Sequence, residues 1–303
     1  MTERELSELR HAAEPGQEGQ LAVDMLVKLL DLEKLEENLF RGLSPAVTHQ
    51  RVFGGQVAGQ ALVAAGRTLE DQWQVHSLHS YFLRPGDPTI PIIYLVDRVR
   101  DGRSFSTRRV DAIQHGKTIF TLSASFTLPE DGSFAHQEPM PQVPDPDSLP
   151  RQSERMKTMS GADRRGIELP RPVDIRYIST PPWERQTNTD EEFNLLWMKA
   201  DGELPDDRFL HVCVLTYASD MTLLDASLSR HGLSWMRDNV QGASLDHAVW
   251  FHRPFRADEW FLYQSTSTTA SNARGFGIGK FWSHDGQLIA STAQEGLLRT
   301  PPA

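Results

Sequence analysis

Two segments of the chain carry small or apolar residues on every side. Residues 53–66, FGGQVAGQALVAAG, hold no charge at all. Residues 208–220, RFLHVCVLTYASD, spread Phe209, Leu210, Val212, Val214, Leu215 and Tyr217 around a helix circumference. A helix without a polar stripe has no face to give to water, so both segments are predicted as helices enclosed by the rest of the fold. Strand patterning follows each. TIFTLSASF at 118–126 puts Phe120, Leu122, Ala124 and Phe126 on one face and Thr121, Ser123 and Ser125 on the other; HGK at 115–117 joins it to FSTRRVDAIQ at 105–114 as a hairpin. The same plan returns as RGFGIGKFWS, HDG and QLIASTAQEGLL over 274–298, with Asp285-Gly286 as the turn dipeptide.

The recurrence is regular. Tyr81-Phe82-Leu83-Arg84-Pro85 resembles Trp250-Phe251-His252-Arg253-Pro254, Arg103-Ser104-Phe105 resembles Arg274-Gly275-Phe276, and Gly116 matches Gly286, all at an offset of 169 to 171 residues. Such a period is far beyond that of solenoid repeats and reads as a tandem duplication of one α+β domain. The expected organisation is a polar N-terminal tail over 1–20, a first domain over 21–127, a linker over 128–172 and a second domain over 173–303. The linker is rich in Pro, Asp and Ser, with a short helix near Arg151 to Met159, and the second domain opens on the strand-like VDIRYIST.

Composition narrows the function without naming it. The 303 residues are 39% hydrophobic, 24% charged and 9% aromatic, as in an ordinary globular protein. A net charge of −10 lacks the broad basic footprint of nucleic-acid or anionic-membrane binders, so neither partner is expected. One cysteine, Cys213, excludes an intrachain disulfide, a cysteine zinc cluster or a CxxC pair. The polar N-terminus has no apolar signal core, no run of about 18 apolar residues occurs, and the final RTPPA carries no peroxisomal address; a cytoplasmic location is expected.

Familiar devices are missing: there is no GxSxG elbow, HExxH zinc site or GxxxxGK[ST] phosphate loop. In RGFGIGKF, Lys280 is followed by Phe281 and the glycines read as a strand with close backbone approach. The histidines show no ligand spacing, so no metal is expected. His247 follows Asp246, but adjacent strand residues face opposite ways, and both read as hydrogen-bonded structural residues. Asp220 is less easily placed. It ends an enclosed helix, at the unfavourable end of the macrodipole. Either the carboxylate reaches water there or it serves as a general base of raised pKa, and pattern alone leaves both open.

The segments FGGQVAGQALVAAGRTL, VHSLHSYFLRPGD, YASDMTLLD, SLDHAVWFHRPFRADEW and ARGFGIGKFWSHDGQLIASTAQEG resemble the acyl-CoA thioesterase II (TesB-like) family across nearly the whole chain. The resemblance implies an α+β double hotdog, two tandem antiparallel sheets each wrapped around a central helix. It also implies an acyl-CoA hydrolase of the EC 3.1.2 class that takes fatty acyl-CoA to free fatty acid and CoA, without cofactor or metal. In that family an Asp at the end of the second central helix, a Thr or Ser before the DH-x-x-WFH-x-P strand and a Gln in the last strand hold the attacking water. The matching positions are Asp220, Ser244 and Gln294; on sequence alone Ser244 reads as a turn serine and Gln294 as an ordinary strand glutamine. The first half offers no equivalent base: its helix is expected to run on to Glu70, and Ala124 stands near the position of Gln294. A homo-oligomer is expected, as in the family. Two other readings are a double-hotdog enoyl-CoA hydratase, whose D-x-N-P-x-H string is absent, and a non-catalytic acyl-CoA binder. At net −10, CoA phosphates would have to be met by a local Arg or Lys cluster.

Overall fold

The two patterned hairpins form where the alternation placed them, β5 (Phe105–Gln114) with β6 (Lys117–Thr127), and β12 (Arg274–Ser283) with β13 (Leu288–Arg299). In the first, His115 and Gly116 both take left-handed backbone, φ 50° and 67°, which matches the turn to the twist of its strands. The computed structural model describes residues 17–45, 51–157, 171–185, 192–235 and 237–300. The first half also contains α1 (Glu18–Leu30), β1 (Glu33–Glu36), β2 (Leu39–Gly42), α2 (Gly54–Gly66), β3 (Gln74–Phe82) and β4 (Ile92–Asp101). The short helix α3 (Gln152–Lys157) precedes β7 (Val173–Tyr177) and β8 (Asn194–Ala200). Then come α4 (Arg208–Ser219), α5 (Asp225–Ser229), β9 (Gln241–Ser244), β10 (Asp246–Phe251) and β11 (Phe261–Ser271). Of the expected tail over 1–20, residues 1–16 lie outside the described residues and Glu18 to Gln20 are helical; 158–170 of the linker also lie outside.

One antiparallel sheet runs through both halves in the order β1-β2-β4-β5-β6-β3-β10-β13-β12-β11-β8-β7, with β9 added beside β13. The order reads the same from either edge once each half is matched to the other, so the duplication has become an internal two-fold. At its centre β3 and β10 pair, Leu78 opposite Val249 and Ser80 opposite His247, and the Ser80 hydroxyl donates to the His247 carbonyl at 2.8 Å.

The central helices lie antiparallel against each other. A Cβ on Gly55 would meet the Tyr217 carbonyl at 2.3 Å, and one on Gly66 would meet the Phe209 ring at 2.2 Å. Small residues let the backbones approach, and Gly55 through Ala65 are all buried, as the absence of a polar stripe required. Two buried glutamines use that enclosure: Gln56 donates to Ser44, and Gln60 donates to the Leu29 and Leu43 carbonyls while accepting from Tyr94. α2 stops at Gly66, short of the expected Glu70. Thr68 turns its hydroxyl back to the Ala65 carbonyl and accepts from the buried Arg108, which ties the chain down outside the helix.

The linker is a strap rather than a tether. Met140, Val143 and Leu149 pack on Trp197, Leu262 and Trp282, and the Trp197 indole donates to the Pro144 carbonyl at 2.9 Å. RGFGIGKF lies in β12, where Cβ atoms on Gly275 or Gly279 would collide with Ser227 and Tyr263.

The halves part company after the central helix. Residues 67–73 connect α2 to β3, whereas 220–245 connect α4 to β10. The offset near 170 therefore holds for the strands that follow the central helices and not for the helices or the strands before them, and the extra chain carries α5 and β9.

Candidate active site

The extra chain of the second half folds over the N-terminal turn of α2 and encloses a cavity of about 560 Å³ between the halves. Val52, Phe53, Phe82 and Phe120 face it from the first half, and Asp220, Leu224, Trp235 and Ser244 from the second. Apolar walls with a few convergent polar groups suit an acyl chain carrying a polar reacting end.

Asp220 caps the C-terminus of α4. Antiparallel packing brings that end beside the N-terminus of α2, which has no side-chain cap of its own. The Gly55 N–H donates to the Asp220 carboxylate. A Cβ on Gly54 would stand 2.5 Å from Oδ2, so the carboxylate is seated on that first turn. The charge that is unfavourable on its own helix is thus favourable on its neighbour, by about 0.3–1 kcal/mol for such a placement and up to about 2 when partly buried. Burial pushes the Asp220 carboxyl up to about 6; hydrogen bonds from Gln294, Ser244 and Gly55, and the Arg51 charge, pull it down. At neutral pH it is mainly ionised yet more basic than an ordinary aspartate.

Gln294 of β13 and Ser244 at the end of β9 meet the same carboxylate. Gln294 Nε2 donates to Asp220 Oδ1 and to Ser244 Oγ, both at 2.7 Å, and Ser244 Oγ lies 3.4 Å from Asp220 Oδ1. Both amide protons of Gln294 are committed to these partners. Its carbonyl, Oε1, faces His247 Nδ1 at 3.2 Å, and His247 Nε2 lies 2.8 Å from Ser219 Oγ. Burial pulls His247 down to about 4, so the ring is neutral at working pH. Asp246 turns the other way and accepts the Glu295 N–H at 2.7 Å. Adjacent strand residues do face opposite ways, and Asp246 and His247 form no dyad.

The structure brings Asp220, Ser244 and Gln294 within one hydrogen-bonded cluster. Four participants were not singled out from sequence. The Gly55 N–H has no side-chain signal, and Arg51, Asp225 and Trp235 lie far from Gln294 along the chain. Asp225, five residues after Asp220, had the clearest signal, a lone carboxylate in MTLLDAS. It is buried in the same cavity wall, accepts from the Trp235 indole at 2.5 Å, and is pushed up to about 7 by desolvation. Among the described residues no group of three or more His, Cys, Asp or Glu is set to hold a metal.

The fold is a double hotdog. A solved structure of a conserved protein with hot dog fold from Alicyclobacillus acidocaldarius superposes with a TM-score of 0.75 at 21% identity, over 92% of this chain and 99% of that one. The family comes from closer relatives. Residues 43–127 match the model for the acyl-CoA thioesterase N-terminal domain, and 172–297 that for acyl-CoA thioesterase. Acyl-coenzyme A thioesterase 8 of Rattus norvegicus is 40% identical over 296 residues, covering 94% of this chain and 92% of that protein. The solved acyl-CoA thioesterase II TesB2 from Mycobacterium marinum is 42% identical with a TM-score of 0.75, covering 92% and 98%. The chain belongs to the acyl-CoA thioesterase II family and is a hydrolase of the acyl-CoA thioesterase class.

Proposed function

We propose that the protein hydrolyses fatty acyl-CoA by activating a water on Asp220. The observation that carries this reading is the seating of one carboxylate, raised toward neutrality by burial, at the mouth of an apolar cavity and against a hydroxyl and an amide. The water donates one hydrogen to Asp220 and one to a lone pair of Ser244 Oγ, leaving an oxygen lone pair for the thioester carbon. Gln294, its protons already used, holds base and hydroxyl in register rather than gripping the water. As the C–O bond forms, the proton passes to Asp220, and the first turn of α2, which lines the cavity at Gly54, stabilises the developing oxyanion. The C–S bond then breaks and the sulfur takes the proton from Asp220, releasing fatty acid and CoA. No covalent nucleophile is needed, because a positioned base supplies about 10²–10⁴-fold and orientation adds to it.

CoA reaches outward past Arg51 and Arg84, exposed cations on the cavity wall that supply the local positive charge its phosphates need. We further propose a cytoplasmic location, to which a single, buried cysteine is suited, and a homo-oligomer, as the family resemblance implies.

Free-thiol release from a series of acyl-CoA chain lengths tests the reading. Asp220→Asn keeps the shape and removes the base, and is expected to lose at least about 10³-fold in kcat. Ser244→Ala and Gln294→Ala are expected to lose 10- to 100-fold while remaining folded. Wild-type turnover in Asp220→Asn refutes the mechanism, and consumption of crotonyl-CoA without thiol release points to a hydratase.

A further inference from the structure

We propose that His247, held as its Nδ1–H tautomer, is a positioning residue that locks the Gln294 amide with its NH2 group toward Asp220 and Ser244. The inference rests on the water-activating reading above. Gln294 is 1% exposed and His247 fully buried, so neither the amide nor the ring can trade a lost partner for water. Gln294 Oε1 is an acceptor only, and at 3.2 Å from Nδ1 it needs a proton on that nitrogen. The ring is neutral and carries one proton; with that proton on Nδ1, Nε2 must accept, and the Ser219 hydroxyl at 2.8 Å, which shares its one proton with the Thr216 carbonyl at 2.9 Å, is the donor at hand. In the opposite tautomer a lone pair on Nδ1 would face a lone pair on Oε1. The hydrogen bonds thus form a directed chain from Ser219 through His247 and Gln294 to Asp220, the residue following Ser219.

The lock matters most in mid-reaction. While Asp220 is ionised it holds the amide protons by itself. Once it has taken the proton from water, the carboxyl can donate as well as accept, and its preference for the NH2 end weakens. His247 keeps the amide facing the same way through that interval. Two donors then stay on the cluster, which favours return of the proton to the leaving sulfur.

The duplicated half supplies an internal comparison. Where the second half sets His247 beside Gln294 on neighbouring strands, the first half pairs Leu78 with Ala124 at the matching places of β3 and β6, both fully buried. The copy without the amide also lacks the imidazole.

Nitrogen NMR of the histidine rings tests the tautomer in the intact protein without reference to activity. Nδ1 protonated and Nε2 bare, unchanged from pH 5.5 to 8, is expected; the reverse overturns the proposal and leaves the role of Asp220 standing. Kinetics test the consequence. His247→Asn keeps an N–H near the place of Nδ1 and is expected to lose three- to fivefold in kcat. His247→Leu offers no donor and is expected to lose thirtyfold or more, with KM for acyl-CoA within twofold in both. Equal losses in the two variants, or full activity in His247→Leu, overturn the proposal. If His247→Leu does not fold, the tautomer decides. Wild-type activity in Asp220→Asn instead brings down the water-activating reading on its own.

Discussion

Replacing Asp220 by Asn should stabilise the protein at the pH where it destroys activity. Asp220 titrates near 6 in the fold against an ordinary 3.8. Between those values the native state keeps a proton that the unfolded chain has released, so stability falls as pH rises through that window and stays flat above it. At 1.36 kcal/mol for each pH unit of separation, the ionised carboxylate lowers stability by about 3 kcal/mol at pH 8. Asn carries no such burden, but its amide nitrogen cannot accept from the Gly55 N–H if its oxygen keeps the bond from Gln294, a loss of about 1 kcal/mol. The expected balance is a variant less stable than wild type by about 0.5 kcal/mol at pH 4, where the unfolded carboxyl is already half ionised, and more stable by about 2 at pH 8. Urea unfolding of both proteins at several pH values measures the difference directly, since the other titrating groups cancel. A difference that does not change with pH would refute the account, because it would mean that the carboxylate is no harder to ionise in the fold than outside it.

Four further outcomes follow from the same geometry. In the wild type, kcat/KM should rise about tenfold per pH unit below 6 and level off above, as the base ionises; a pH–rate profile with no inflection between 5 and 7 contradicts a catalytic role for Asp220. Gly55→Ala should destabilise by about 2–3 kcal/mol, because its Cβ would fall 2.3 Å from the Tyr217 carbonyl; a change below 0.5 kcal/mol in chemical denaturation would mean that the helices part easily. Arg84→Ala should raise KM for acyl-CoA about fivefold, some 1 kcal/mol, and leave KM for acyl-pantetheine unchanged; equal effects on both would remove Arg84 from phosphate binding. Cys213 is fully buried and its thiol is pushed well up, so a thiol reagent should find no reactive cysteine in the native protein and one in urea, as titration with each will show.

Periodicity reached further into the fold than into the site. The enclosed helices and both hairpins were legible because alternation and the lack of a polar stripe are local properties, and the strand offset near 170 carried the duplication. The ends of elements were not. α2 stops at Gly66 because Thr68 and Arg108 meet across forty residues, a tertiary bond that no local pattern announces. The Pro-, Asp- and Ser-rich composition of the linker gives no local sign of packing, yet its Pro144 carbonyl and apolar side chains cover Trp197 and Trp282. In the site, Asp220 stood out as a charge at the wrong end of a helix. What resolves the conflict, the uncapped start of α2, lies more than 150 residues away in the other half. Ser244, Gln294 and His247 drew attention only through family resemblance or a neighbouring aspartate, since a serine, a glutamine and a histidine in strands are ordinary.

The asymmetry of the duplication explains why the described residues form this cluster at one end of the helix pair and not at the other. An internal two-fold that sets the helices antiparallel places each C-terminus beside the other's N-terminus, so both ends of the pair start out equivalent. At one end the chain leaves α4 through Ser219-Asp220 and runs over 220–245 before it enters β10, which gives it length to fold α5 and β9 across the start of α2. At the other end it leaves α2 through Arg67 and reaches β3 by residue 74, too short a path to roof anything. Arg67 there points its guanidinium to Asp31 and the Leu32 carbonyl. One half therefore supplies the uncapped helix start and the other the carboxylate, the amide and the roof. Neither hotdog alone contains the candidate site, and the continuous sheet across β3 and β10 fixes their mutual geometry, so substitutions that loosen the β3–β10 seam should lower kcat before they unfold either half.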